Sequence, residues 1–242
     1  MLKVGDAMAT LGYDERYVAE RSIPGTSLRY GLERRTRKLL ESIARHGPGG
    51  NRPLDVIDFG CADATMLVEV AHQLGDRHGS GLGLDVFASG VPLVEAPRGL
   101  RFQQAKLFQH PYAVPDASCD IAVVSAFIKH HPKPERFLGE VARILRPDGI
   151  AVLLDPRPFV VRVGILWGRF SRHSNPSPWS AGSMERLIRR TALPLELVTY
   201  DRYWLAPTIG IYRLGVERWC PAPLRWHLAL HQSLVLRRAP LG

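Results

Sequence analysis

The chain has 242 residues, of which 45% are hydrophobic and 23% are charged, and its formal net charge is +9. This composition is typical of a globular protein, and the length suits a single domain. No run of about 18 uncharged apolar residues predicts a membrane-spanning helix, and the N-terminus lacks the apolar core of a signal peptide. The three cysteines lie far apart, which argues against a disulfide scaffold or a zinc site and favours a reducing, cytoplasmic location.

The excess positive charge lies in the last third of the sequence. Residues 1–156 hold 19 basic and 19 acidic side chains, whereas residues 157–242 hold 13 arginines, no lysine and four acids. All five tryptophans lie in this last third as well. A cationic, tryptophan-rich segment after a neutral one indicates a separate role such as contact with a partner, although a solvated basic face explains the same pattern.

The predicted elements alternate between helix and strand along most of the chain. Predicted helices cover about 26–45, 65–74 and 134–145, and another begins at 183. Predicted strands cover 54–59, 79–86, 100–105, 121–127 and 150–154, with a tight turn at 146–149 and a final antiparallel pair at 195–203 and 208–217. Five strands that alternate with helices predict a doubly wound α/β sheet, which binds ligands at the carboxyl ends of its strands.

Two acidic residues lie at that predicted edge. Asp58 ends the first strand and is followed by a small-residue turn, in which Ala62 and Ala64 stand where the dinucleotide fingerprint G-x-G-x-x-G has glycines. Asp85 ends the second strand, 27 residues later, close to the position of the acid that binds ribose hydroxyls. A turn or helix-capping aspartate is the structural alternative for Asp85. We expect the loop to form despite its alanines, because its residues are small.

Several later segments repeat a known order of motifs: Pro115–Asp120, His131–Glu135 and Glu140–Gly149. Together with the Asp58 loop and Asp85, they resemble class I S-adenosylmethionine-dependent methyltransferases over about residues 54–155. The resemblance is to the methyltransferase type 11 group, which includes ubiquinone/menaquinone-type enzymes. It implies a Rossmann-like, doubly wound, seven-stranded sheet, mostly parallel with a final antiparallel strand, and S-adenosyl-L-methionine as cofactor.

The resemblance also implies a role for individual residues. The residues implied to bind the cofactor are Asp58, Gly60, Cys61, Ala62, Asp85, Val86, Leu107, Ser125 and Ala126. The usual acid after the third strand is missing, since Lys106-Leu107-Phe108 stands near its position. This departure and the two loop alanines keep open a non-catalytic binding module on the same fold.

Histidines supply the candidates for proton transfer and metal binding. His131, after the fourth strand, is the candidate general base, because the pKa of an ordinary imidazole suits that role. Its alternative role is to cap the next helix. His227 and His231 are spaced as a helical metal pair, but no third ligand lies nearby, and we predict no metal site.

We expect one domain with three regions: a helical lid over residues 1–50, including Tyr13, Tyr17 and Arg21, a cofactor-binding core over 51–156, and a basic substrate-side region over 157–242. The pattern of residues 157–173 predicts a basic amphipathic helix. Such a helix suits contact with an anionic membrane surface or an acyl-chain substrate, and the alternative is a helix that packs on the core.

The sequence therefore predicts a methyltransferase for a hydroxyl or carbon of a small hydrophobic or membrane-associated molecule, such as a lipid, quinone, glycolipid or natural product. Cytoplasmic location with peripheral attachment at the inner membrane face fits that prediction. The alternative is methylation of RNA or protein through the basic surface, with nucleic acid the less favoured partner.

Overall fold

The computed structural model describes residues 27–86, 97–160, 180–203 and 227–239, together with the single residues 162, 220, 221 and 224. The helices are α1 (Ser27–His46), α2 (Thr65–Leu74), α3 (Pro134–Ile144) and α4 (Ala181–Thr191). The strands are β1 (Leu54–Phe59), β2 (His78–Asp85), β3 (Leu100–Gln104), β4 (Cys119–Ser125), β5 (Leu145–Pro156), β6 (Leu195–Tyr203) and β7 (His231–Arg238). None of the helices in these ranges is long and apolar enough to cross a bilayer.

The seven strands form one sheet in the order β3-β2-β1-β4-β5-β7-β6. Strands β1 to β5 pair in parallel, whereas β7 runs antiparallel to both of its neighbours, β5 and β6. The predicted fold class is therefore confirmed. The strand order changes direction between β1 and β4, and the carboxyl ends of these two strands mark the crevice where such sheets bind ligands.

Both faces of the sheet are covered by helices, because the central strands are apolar on both sides. Apolar side chains of α1 and α2, such as Leu39 and Val70, pack on one face. Those of α3 and α4, such as Phe137 and Met184, pack on the other. The rings of Phe59 and Phe137 meet edge to face with centroids 5.3 Å apart, which fixes α3 against β1.

One sequence prediction falls outside the described residues and another needs correction. The described partner of β6 is β7 at His231–Arg238, whereas the predicted partner, the segment 208–217, lies outside the described residues. The arginines that follow the apolar Leu234–Leu236 run obscured β7 as a buried strand. The turn predicted at Arg146–Gly149 is an irregular stretch inside β5, where the register with β4 shifts and Asp148 has a φ of 64°.

The start of the Glu140–Gly149 motif has a structural function. The Arg143 guanidinium donates to the Val114 carbonyl at 2.8 Å and to Glu140 at 2.9 Å. Glu140 in turn accepts from the Tyr112 backbone N–H at 3.0 Å. The Glu140–Arg143 pair therefore holds the segment that enters β4 against helix α3.

The amino-terminal edge of the sheet is joined by one buried carboxylate. Asp120 is fully buried in β4 and accepts hydrogen bonds from Arg52 at 2.6 Å, Arg146 at 2.7 Å and the Asp55 backbone N–H at 2.9 Å. Burial alone would raise the pKa of Asp120, but these hydrogen bonds and the two arginine charges hold it below its usual value. This network joins β4 to the start of β1 and to β5.

We expect Asp120→Asn to destabilise the fold by about 3–5 kcal/mol, because it leaves the arginines facing a neutral group and removes a buried charge partner. Urea unfolding measures this loss. Asp116→Asn is the matched control: its carboxylate is 76% exposed and pairs with Arg143 at the surface, so the change should cost less than about 1 kcal/mol. Equal effects of the two substitutions would contradict the prediction.

Candidate active site

The loop after β1 is fastened to the end of β2. The Gly60 and Cys61 backbone N–H groups both donate to the Leu84 carbonyl, at 2.8 and 3.3 Å. The Ala62 N–H donates to Asp85 Oδ2 at 2.7 Å. Gly60 has a φ of 75°, and a Cβ at this position would lie 3.0 Å from the Phe127 ring, so this position requires glycine.

The two alanines of the loop adopt the left-handed conformation that glycine would take. Ala62 has a φ of 52° and Ala64 a φ of 54°. The Ala64 N–H donates to the Cys61 carbonyl at 2.9 Å and closes the turn before α2. This conformation costs an alanine about 1–2 kcal/mol. Burial of both methyl groups, at 7% and 5% exposure, compensates part of that cost. The loop therefore forms as the sequence predicts.

Asp85 is the acidic group at the centre of this edge. It is the last residue of β2, 5% exposed, and the Ala62 N–H fixes the direction of its carboxylate. Its own carbonyl accepts from the Ala105 N–H at 2.7 Å, which joins the end of β3 to the same point. Val86 follows as a partly buried residue, whose carbonyl accepts from the Gln104 side chain at 2.9 Å. Asp58, in β1, is 2% exposed.

The segment after β3 presents aromatic rings where the usual acid is missing. Leu107 is 3% exposed, and its carbonyl accepts from the Tyr112 hydroxyl at 2.6 Å. The Phe108 ring stacks on Phe127 at 6.0 Å with an interplanar angle of 6°. The Leu107 side chain thus belongs to the hydrophobic core, and its contact with the cofactor stays a prediction.

The residues after β4 reach the same edge. Ser125 ends β4, and the Ala126 N–H donates to the Leu154 carbonyl of β5 at 2.8 Å. Ala126 has a φ of 55°, and its carbonyl accepts from the Lys129 ammonium. The structure therefore brings Ser125 and Ala126 to the crevice beside the Asp58 loop.

His131 is enclosed in the protein. It is 1% exposed; its Nδ1 accepts from the Lys133 N–H at 3.1 Å, and its Nε2 lies 3.1 Å from His110 Nε2. Burial and the neighbouring His110 lower the pKa of His131 to about 4. Since both ring nitrogens contact protein groups, this geometry favours the structural role at the start of α3 over the general-base role.

A third buried acid, which the sequence analysis did not single out, lies at this edge. Asp155 near the end of β5 is 1% exposed, and its Oδ1 lies 3.7 Å from the Lys129 ammonium. Burial raises the pKa of Asp155 to about 6, although the charges of Lys129 and Arg35 oppose this shift. The signal in the sequence was the repeated pattern of an apolar strand that ends in aspartate, seen already at Asp58 and Asp85.

The remaining features that the sequence analysis considered are the histidine pair, the lid and the basic helix. The ranges that the structure covers contain no group of three His, Cys, Asp or Glu side chains suited to a metal ion, around His227 and His231 or elsewhere. His231 begins β7, and burial lowers its pKa. The predicted lid residues Tyr13, Tyr17 and Arg21, the five tryptophans and most of the 157–173 helix lie outside the described residues.

The fold and the loop define a Rossmann-like protein, a class in which nucleoside-containing cofactors bind at the crevice where the strand order reverses, here between β1 and β4. Residues 32–196 match the model of the methyltransferase domain family, and the chain belongs to this family. It is thus a class I S-adenosylmethionine-dependent methyltransferase by family and fold.

Individual relatives agree with this assignment. The chain is 30% identical over 142 residues to a probable S-adenosylmethionine-dependent methyltransferase of Mycolicibacterium smegmatis, over 57% of this chain and 50% of that protein. The chain therefore spans about half the length of this relative. It is 27% identical over 173 residues to a ubiquinone/menaquinone biosynthesis C-methyltransferase of Syntrophotalea carbinolica, over 68% of this chain and 71% of that protein.

The fold also matches a solved structure. An S-adenosylmethionine-dependent methyltransferase from Mesorhizobium loti superposes with a TM-score of 0.61 at 16% identity, covering 86% of this chain and all of that one. At this identity, the likeness concerns the fold alone.

The residues at the crevice fit S-adenosylmethionine. A carboxylate oriented by a backbone amide, as at Asp85, suits the two vicinal hydroxyls of a ribose. The backbone of the Gly60–Ala64 turn has no bulky side chain to keep a ligand from the start of α2. The cofactor supplies an activated methyl group, so the protein contributes mainly the alignment of the acceptor.

We expect Asp85→Asn to weaken S-adenosylmethionine binding about 10- to 100-fold, because hydrogen bonds to a charged group contribute about 1.5–3 kcal/mol. Isothermal titration calorimetry measures the affinity. Asp76→Asn, which removes an exposed carboxylate from the turn before β2, is the control and should leave binding unchanged. Unchanged affinity in Asp85→Asn would contradict the ribose role.

Asp155 should make folding stability depend on pH. The pKa of its carboxyl is raised on folding from 3.8 to about 6, so its contribution is full below pH 4 and is lost as the pH rises through 6. The stability of Asp155→Asn relative to that of the wild type should therefore rise by up to about 3 kcal/mol between pH 4 and pH 7, whatever its sign at pH 4. Urea unfolding across this range tests it, and a constant difference would contradict the prediction.

Proposed function

We propose that the protein transfers a methyl group from S-adenosylmethionine to a hydroxyl or carbon of a small hydrophobic or membrane-associated molecule. The observation that carries this proposal is the exposure of large apolar side chains, two of which, Phe159 and Leu228, lie next to strand ends at the carboxyl edge of the sheet. Phe159 is 63% exposed, and Leu224 and Leu228 are each 50% exposed. These are the large hydrophobic side chains that the described part of the chain leaves to solvent.

Connectivity brings Phe159 and Leu228 to the same edge of the sheet. Phe159 follows the carboxyl end of β5, whereas Leu228 precedes the start of β7. Because β7 is antiparallel to β5, its start lies beside the end of β5, and Pro156 pairs directly with His231.

Arg157 joins the two chain segments. Its backbone N–H donates to the Leu230 carbonyl at 2.9 Å. Its guanidinium donates to the carbonyls of His227 and Ala229 at 2.9 and 2.8 Å. The exposed apolar groups thus stand on a connected surface that an apolar acceptor or an acyl chain could contact.

The relatives support a small acceptor. The Syntrophotalea carbinolica relative acts as a C-methyltransferase in ubiquinone/menaquinone biosynthesis. A hydrophobic, ring-containing acceptor would suit the exposed Phe159 and Leu228. We extend the proposal to cytoplasmic location with peripheral attachment to the inner membrane face, because the last third of the chain carries 13 arginines and four acids.

We expect Phe159→Ser combined with Leu228→Ser to reduce methyl incorporation about tenfold or more, since each side chain contributes about 1–2 kcal/mol of apolar contact. The assay incubates the protein with radiolabelled S-adenosylmethionine and a lipid extract, and a parallel one uses total RNA. Phe159→Leu is the control and should keep most of the activity. Cofactor affinity should be unchanged in all three proteins.

The outcome separates the candidate functions. Label in the lipid fraction that depends on Phe159 and Leu228 supports the proposal. Label in RNA or protein alone would replace it with the macromolecular alternative. Cofactor binding without transfer to any fraction would favour a binding module. Flotation with anionic and neutral vesicles at low salt tests membrane attachment, which anionic vesicles alone should show.

A further inference from the structure

Asp155 is a buried carboxylate whose two oxygens accept no hydrogen bond of ordinary length from the residues that the structure describes. The nearest cation, the Lys129 ammonium, lies 3.7 Å from Oδ1 and is itself buried, with 3% exposure. This ion pair is longer than a hydrogen bond, so it balances charge without satisfying the carboxylate. A buried polar group left in this state costs about 1–3 kcal/mol or more.

Asp120 shows what a purely structural aspartate looks like in the same sheet. Both carboxylates are almost completely buried, at 0% for Asp120 and 1% for Asp155. Asp120 accepts three hydrogen bonds from Arg52, Arg146 and Asp55, whereas Asp155 accepts none. At the amino edge of the sheet, protein donors thus fill the hydrogen-bonding capacity of Asp120. At the carboxyl edge, the Asp155 oxygens keep their capacity to accept a hydrogen bond from a ligand.

The surroundings of Asp155 are polar and converge from three strands. Pro156, His231 and Tyr203 pair in one row across β5, β7 and β6. The Tyr203 hydroxyl is also buried without a hydrogen bond, and its ring lies 5.9 Å from that of His231. Lys129 and Arg35 supply positive charge to this group. A ligand bound here would meet the Asp155 oxygens as acceptors and the Tyr203 hydroxyl, with the positive charges of Lys129 and Arg35 nearby.

The position fits the acceptor rather than the cofactor. Asp85 and the Gly60–Ala64 turn lie at the ends of β2 and β1, whereas Asp155 lies at the end of β5, one strand beyond β4. Adjacent strands are about 4.8 Å apart, so Asp155 stands about 10 Å from the end of β1. Phe159, on the proposed apolar surface, is only four residues further along the chain.

We propose that Asp155 recognises the methyl acceptor by accepting a hydrogen bond from its hydroxyl group, so that the acceptor is an apolar molecule with a hydroxyl, such as a phenol or an alcohol. This inference rests on the proposed function, which it narrows to hydroxyl-bearing acceptors. A hydrogen bond to an ionised carboxylate removed from water is strong and directional, which suits a group that must be aligned with the methyl donor.

Recognition by an ionised carboxylate makes acceptor binding depend on pH. The pKa of Asp155 is raised by burial to about 6, while Lys129 and Arg35 favour its charged form. His231 pairs with the next residue, Pro156, and burial holds the pKa of its imidazole well below its usual value, so His231 adds no charge as the pH falls. The preference for a hydroxyl should thus be strong at pH 8 and weaken towards pH 5, as Asp155 takes up a proton.

A matched pair of ligands isolates this hydrogen bond. 2-Naphthol and naphthalene differ only by one hydroxyl, and their affinities for the protein can be measured by fluorescence in the presence of S-adenosylhomocysteine. We expect the wild type to bind 2-naphthol at least tenfold more tightly than naphthalene at pH 8. In Asp155→Asn the ratio should fall to within about threefold and become independent of pH.

Two further variants control for charge and folding. Asp201→Asn removes a carboxylate of β6, two strands from Asp155, that pairs with Lys38, and it should keep the wild-type ratio. The double variant Asp155→Asn with Lys129→Met removes both buried charges, and it replaces the single variant if that protein does not fold. Calorimetry with S-adenosylmethionine confirms that each variant keeps its cofactor site.

The outcomes distinguish this inference from the proposed function. Equal binding of both compounds by the wild type would overturn the role of Asp155 and leave the hydrophobic acceptor site intact. A preference for 2-naphthol that survives in Asp155→Asn would also overturn it. If the wild type binds neither compound, the hydrophobic site itself is wrong, and the inference falls with it.

Discussion

The hydrogen bond from the Ala62 backbone N–H to Asp85 is the contact on which the cofactor site depends. It joins the loop after β1 to the end of β2, and the Ala105 N–H adds the end of β3 at the same residue. Three strand ends thus converge on one carboxylate before any ligand is bound. Such preorganisation matters for methyl transfer, because alignment is the main contribution that the protein makes.

Buried aspartates at the two edges of the sheet have different functions because their partners differ. At the amino edge, Asp120 is saturated by two arginines and a backbone N–H, and it stabilises the fold. At the carboxyl edge, Asp155 faces one buried lysine and accepts no hydrogen bond from the part of the chain that the structure describes. Stability and function are therefore divided between opposite ends of neighbouring strands, as expected when ligands bind outside the carboxyl ends.

Much of the fold was predictable from the sequence, because alternating helix and strand patterns with strand-ending aspartates have few topological solutions. β7 was not, since its arginines mask an apolar run whose burial depends on a partner strand far away in sequence. The roles of His131 and Asp155 could not be predicted from the sequence either. Burial and hydrogen-bond partners decide both, and these come from tertiary packing: both side chains are buried, but the ring nitrogens of His131 contact His110 and Lys133, whereas the Asp155 oxygens accept no hydrogen bond from the described residues.

Ala62 and Ala64 stand where the fingerprint has glycines, and the geometry shows that the loop forms with alanine at both positions. Both adopt the left-handed conformation, at a cost of about 1–2 kcal/mol each, which a folded domain can absorb. Gly60 is different, because a Cβ there would meet the Phe127 ring at 3.0 Å. The loop thus keeps glycine where a side chain would collide and tolerates alanine where only backbone strain is at stake. What distinguishes this enzyme from its relatives should then be sought on the acceptor side, where the aromatic Phe108–Phe127 pair and Asp155 border the same edge.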